Sequence, residues 1–147
     1  MMNRSNNGKE TEKVFHFTVR EKLPGLNEYI HAINRSAYIG NRLKRDTQDT
    51  VALYIRAALA RGTLAKVTDF PVCVRFVWHE RTRRRDLDNI ASAKKFILDA
   101  LIECGVLSGD GQKYVCGIHD EFVIPAGFDG VWVEILENAE TERNERT

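Results

Sequence analysis

The chain has 147 residues, of which 43% are hydrophobic and 29% charged, with a formal net charge of +1. That length and apolar content suit one domain with a real core, and near-neutrality excludes a uniformly basic nucleic-acid binder, so any such role must rest on where the charges sit. Cys73, Cys104 and Cys116 lack CxxC spacing and read as reduced thiols of a cytosolic protein, Cys116 and His119 have no second pair to complete a zinc site, and no apolar run approaches the ~20 residues of a membrane span.

Residues 1–12 and 138–147 are polar and aperiodic and are expected to be disordered tails, which leaves a folded domain over 13–137. "KVFHFTVRE" alternates with period two and predicts a strand. "LPGLNEYIHAINRS" turns at Pro24-Gly25 and opens a short helix near Asn27. Over residues 42–61, Leu43, Val51, Tyr54, Ile55, Ala58 and Leu59 recur at helical spacing, with Lys44, Arg45, Asp46, Asp49 and Arg56 between them; Gly62 ends this helix.

"FPVCVRFVWHE" is β-branched and apolar, the strongest strand in the chain. A helix is expected over 88–103, closed by Gly105, with Ile90, Ala93, Ile97, Ala100, Leu101 and Cys104 as its apolar stripe. Leu98 and Ile102 fall opposite that stripe, which asks for burial against another element or a partner subunit. "KYVCGIHDEFVI" and "GVWVEIL" predict two strands joined by "PAGFDG" as a hairpin. The sum is a small single α/β (α+β) domain in which a mixed β-sheet packs against two main helices.

The chemistry concentrates in "RTRRRDLDNIASAKKF". Asp86 and Asp88 stand two apart where a strand has ended and a helix begins, and one reading is an ordinary helix cap made with Asn89. A cap needs only one acid, however, and Asp110 in "LSGDGQKY" adds a third carboxylate in a glycine-bracketed turn. Such an oxygen-only set suits Mg²⁺ or Mn²⁺. A calcium EF-hand does not fit, because Ile90, Ala91 and Ile97 stand where that loop needs a ligand, a glycine and a glutamate. At about 100° per residue Lys95 shares the side of Asp88, while Lys94 lies on the shoulder of the apolar stripe. The alternative for Lys95 is a surface ion pair with Asp99 four residues on. Arg81, Arg83, Arg84 and Arg85 put guanidinium groups beside the acids, either as a solvated loop or as bidentate phosphate ligands.

"RRRDLDNIASAKKFILDALIECGVLSGDGQKY" resembles the core of the RusA family of Holliday junction resolvases: a D-x-D-N, a lysine-bearing helix ending D-A-L, and a later aspartate before Gln in a turn. "LPGLNEYI" and the helix after it are similar to bacterial and prophage relatives, so the likeness spans most of 13–137. The resemblance implies a small homodimeric, Mg²⁺-dependent endodeoxyribonuclease, with Mn²⁺ as a substitute, that resolves four-way DNA junctions by paired symmetric nicks in recombination and repair. It implies a cytoplasmic, nucleoid-associated protein of a bacterium or prophage. Asp86, Asp88 and Asp110 match the family's metal-binding acids, and alignment back from "DAL" puts Lys95 in the place of its catalytic lysine, with Ser92 at the position where the best-known pattern has it. Arg81, Arg83, Arg84, Arg85, Lys94, Lys44 and Arg45 would then hold the DNA backbone. The rival readings are a non-catalytic DNA-binding or phage accessory protein, and a metal nuclease for other branched DNA.

Overall fold

The computed structural model describes residues 13–137. Its elements are β1 (Val14–Val19), α1 (Leu26–Arg35), α2 (Ala37–Arg61), β2 (Val72–His79), α3 (Leu87–Ala91), α4 (Lys94–Glu103), β3 (Val115–Val123) and β4 (Gly130–Leu136). Both expected tails lie outside the described residues. Four strands form one mixed sheet in the order β1-β4-β2-β3, with β4 antiparallel to both β1 and β2, and β2 parallel to β3. An α+β domain with a mixed sheet is what the sequence pattern predicts.

The predicted β3–β4 hairpin does not form, because β4 inserts between β1 and β2. Composition explains the choice. "GVWVEIL" is apolar apart from Glu134 and suits a central position, whereas β3 carries Gly117, His119, Asp120 and Glu121 and suits an edge. The connection from β3 to β4 passes over the end of β2, held there by Glu80 N–H to the Val123 carbonyl, Ala126 N–H to the Glu80 carbonyl, and Arg81 N–H to Asp129 Oδ1.

One face of the sheet makes the core. Phe17, Val19, Val74, Phe76, Val131, Val133 and Ile135 are buried on it, together with Val51, Ile55 and Ala58 of α2 and Ile97 and Leu101 of α4. The alternate residues of β2 and β4 are half-buried and carry a charge network across three strands: Arg75 pairs with Glu121 at 2.8 Å on one side and Glu134 at 2.9 Å on the other.

Ser36 serves two helices, donating its N–H to the Ala32 carbonyl at the end of α1 and accepting from Ile39 N–H with its hydroxyl at the start of α2. This cap starts α2 five residues before the expected position; Tyr38 and Ile39 are exposed there, so apolar periodicity does not mark the first turn. Gly62 closes α2 at φ +89°.

The single helix expected over 88–103 is broken into α3 and α4 at Ser92 and Ala93. The Ser92 hydroxyl donates to the Asn89 carbonyl and accepts from Leu26 N–H, so it ties the break to the start of α1. Asn89 likewise takes Asn27 N–H on its Oδ1, and so caps α1 instead of its own helix. Gly25 packs so tightly there that a Cβ would lie 2.2 Å from the Asn89 carbonyl oxygen. Leu98, expected to need a second buried side, is buried within the domain's own core.

Candidate functional site

β2 delivers residues 80–86 to the end of the sheet, where one arginine turns inward. Arg85 donates to Glu80, to the Leu23 carbonyl at 3.1 Å and to Glu28 at 3.2 Å. Its side chain is 12% exposed and that of Glu80 only 4%. Burial opposes its charge, but the hydrogen bonds and charges of Glu80 and Glu28 prevail and raise its pKa. Arg85, expected among the DNA-holding arginines, is therefore a strut between β2 and α1. Arg81 is anchored by its backbone to Asp129 and reaches the Gly127 carbonyl with Nε at 3.4 Å. Arg83 and Arg84 are exposed and make no hydrogen bond or ion pair among the described residues.

Asp86 and Asp88 are exposed as well. Asp86 takes the N-cap position of α3 with extended backbone, φ −68° and ψ 153°, but its carboxylate accepts no capping hydrogen bond. Neither carboxylate has a hydrogen-bond or ion-pair partner among the described residues; the two backbone carbonyls accept from Ile90 and Ser92 N–H. The cap reading thus fails for the Asp86 carboxylate. Asp86 faces an open hollow of about 390 Å³ that it shares with Arg83, Arg85, Leu87, Phe122 and Ile124.

Lys95 points out from the first turn of α4. Its Nζ lies 2.8 Å from Asp110 Oδ2 and 3.1 Å from Asp99 Oδ1, so the i,i+4 pair foreseen from sequence forms, together with a contact to Asp110. The hydrogen bond to Asp110 is the main cause of a raised lysine pKa, and reciprocally holds Asp110 below its ordinary value. Lys94, the neighbour expected on DNA, is instead turned toward β3 and paired with Asp120. Asp120 also accepts Trp78 Nε1–H at 2.9 Å. Sequence reasoning missed Asp120; its one signal is a carboxylate between Ile118 and Phe122 on a strand face.

The basic residues of α2 divide in the same way. Arg45 is committed to Asp49 at 3.3 Å and Glu103 at 3.1 Å, whereas Lys44 is exposed and unpaired among the described residues. Asp86, Asp88 and Asp110 do not assemble into one ligand set: among the described residues no group of three or more His, Cys, Asp or Glu could hold a metal ion. The expected three-acid Mg²⁺ cradle is not preformed. The three cysteines form no disulfide, and no helix among the described residues is long and apolar enough to cross a membrane. No protein-family model matches the chain, and no curated protein is significantly similar to it.

Proposed function

We propose that this chain is a structure-specific endodeoxyribonuclease that resolves four-way DNA junctions as a homodimer, the activity its likeness to the RusA resolvases implies. One observation carries the reading. Within residues 83–88, two guanidinium groups and two carboxylates stand exposed in one segment and pair neither with each other nor with any other described residue. Surface charges this close would ordinarily cancel locally; kept apart, they are available to a ligand that needs both signs.

Hydrolysis of a phosphodiester places three demands on the protein. Arg83 and Arg84 meet the first by gripping backbone phosphates through forked N–H donors, without reading sequence. Lys95 meets the second: an ammonium that leaves Asp110 for a non-bridging phosphate oxygen stabilises the charge that builds there as water attacks phosphorus and the P–O bond breaks. Asp86 and Asp88 meet the third as unencumbered oxygen donors of the kind a hard divalent ion takes. Because no three-carboxylate site is preformed, no step is assigned to Mg²⁺ or Mn²⁺.

The test is a labelled synthetic four-way junction incubated with the protein, with and without Mg²⁺ or Mn²⁺. Metal-dependent paired nicks that vanish in Asp88→Asn while binding persists support the proposal. Binding without cleavage in either ion overturns it in favour of a non-catalytic DNA-binding protein, and equal cleavage of flaps and junctions at matched salt reassigns the substrate to branched DNA in general.

A further inference from the structure

A second cavity, of about 210 Å³, opens beside Lys95 between the start of α1, the N-terminal half of α2 and the α3–α4 break. Its inner wall is aromatic: Tyr29 and Phe96 meet edge to face, ring centroids 5.8 Å apart at 77°. Leu26, half exposed, and Ser92 add to the lining, and Lys44 and Lys95 complete it. The cations of this stretch of α2 differ in a telling way. Arg42 is paired with Asp46, and Arg45 with Asp49 and Glu103, but Lys44, the one that reaches the cavity, has no partner among the described residues. The Tyr29 hydroxyl is likewise without a hydrogen bond among the described residues.

An aromatic slot with an unpaired ammonium in its wall matches a flat ring that carries an anion, and a nucleotide is such a group. We infer that this cavity holds one unstacked nucleobase of the DNA strand being cut, with Lys44 on the adjoining phosphate. The inference rests on the nuclease reading above and deepens it, since Lys95 belongs to both the cavity and the candidate site. A half-open space of about 210 Å³ has room for a single ring system and not for a base pair, so the base must leave the duplex stack. That costs least at a branch point, where stacking is already interrupted. Docking a base here would draw the neighbouring phosphate toward Lys95 and away from intact duplex, giving the site a physical reason to act at junctions.

The experiment uses synthetic four-way junctions that differ only in one abasic nucleotide, moved position by position across the branch point. Binding to the full chain is read by fluorescence anisotropy at fixed salt without divalent ion, and cleavage is read in parallel with Mg²⁺. One abasic position should weaken binding by about tenfold, the loss expected for one stacked base. Tyr29→Ala should weaken binding of the intact junction to a similar extent and abolish the penalty at that position, while Tyr29→Phe keeps both. Lys44→Ala, an exposed change that spares the core, should lower affinity and reduce the salt slope by about one ion. A flat abasic profile, or a penalty that survives in full in a folded Tyr29→Ala protein, overturns the inference. Cleavage with a flat profile overturns the base pocket alone; a position-specific penalty without cleavage overturns the nuclease reading alone; absence of binding overturns both.

Discussion

Lys95 Nζ sits 2.8 Å from Asp110 Oδ2 and so joins the first turn of α4 to the loop that follows the helix. The same ammonium reaches Asp99 one turn on, so it bridges two carboxylates that would otherwise repel each other. Both partners of the exposed Lys95 remain within reach of solvent, and a phosphate oxygen can replace either one without opening the core.

That bridge makes a titration prediction. Asp110 has its pKa depressed, chiefly by the Lys95 hydrogen bond, so its contribution to the fold is fully present above the ordinary carboxylate range and is lost as pH falls through the depressed value. Lys95 has its pKa raised, chiefly by Asp110, so its share is present below the ordinary lysine range and is lost as pH rises through the raised value. The pair therefore spans neutral pH intact. Lys95→Met should move the Asp110 midpoint upward in an NMR carboxyl titration, and an unmoved midpoint would show that the bond does not persist in solution.

The two adjacent lysines should separate by phenotype. Lys95→Met should cut junction cleavage by about a hundredfold, as removal of a group that stabilises transition-state charge does, with little change in thermal unfolding. Lys94→Met leaves the Asp120 carboxylate, 24% exposed, with only the Trp78 donor, and should cost about 1–3 kcal/mol in urea unfolding. Equal cleavage by the two folded variants would remove Lys95 from its assigned role.

The arginines make a similar contrast. Arg85→Ala leaves the buried Glu80 carboxylate with only Lys22, at 4.0 Å, and should destabilise the protein by about 3 kcal/mol, whereas Arg83→Ala should stay within about 0.5 kcal/mol of wild type and lose junction affinity instead. Denaturant midpoints and anisotropy on the same preparations check both halves. An Arg85→Ala protein as stable as wild type would mean that the strut is ornamental.

Gly25→Ala probes how the site is held. The added methyl would meet the Asn89 carbonyl oxygen at 2.2 Å, and Asn89 lies next to Asp88 in α3. A loss of about 1–3 kcal/mol in stability is expected from the overpacking, with a fall in cleavage beyond what the unfolded fraction explains. Activity that tracks only the folded fraction would show that α3 tolerates the displacement.

How much of this was legible in the sequence depends on whether the deciding partner was local. Period-two alternation located β1, apolar β-branched content located β2, and Gly62 marked the end of α2, because those signals lie within the element itself. The break at Ser92 was not legible: it depends on a hydroxyl shared with Leu26, which is 66 residues away. Arg83, Arg84 and Arg85 are chemically alike in a row, and only Glu80 and Glu28, met through the fold, decide which one turns inward. The place of Asp86 and Asp88 between a strand and a helix start was legible, whereas the pairing of Lys94 with Asp120 required knowing that β3 lies parallel to β2. The hairpin expectation failed for a related reason, since a short connection does not specify which edge the next strand will choose.

The position of β4 has a temporal consequence. Among the described residues β1 finds its only sheet neighbour in β4, pairing Val14 with Leu136, and β2 lacks its antiparallel partner until the same segment arrives. In chain order the strand that completes the sheet comes after every other described element, and the segment after β2 that carries Arg83, Asp86 and Asp88 has no finished platform before β4 is made. A chain that has not yet added β4 would hold every charged residue of the candidate site and still present none of them in register, so the arrangement proposed to engage DNA forms only when β4 joins the sheet.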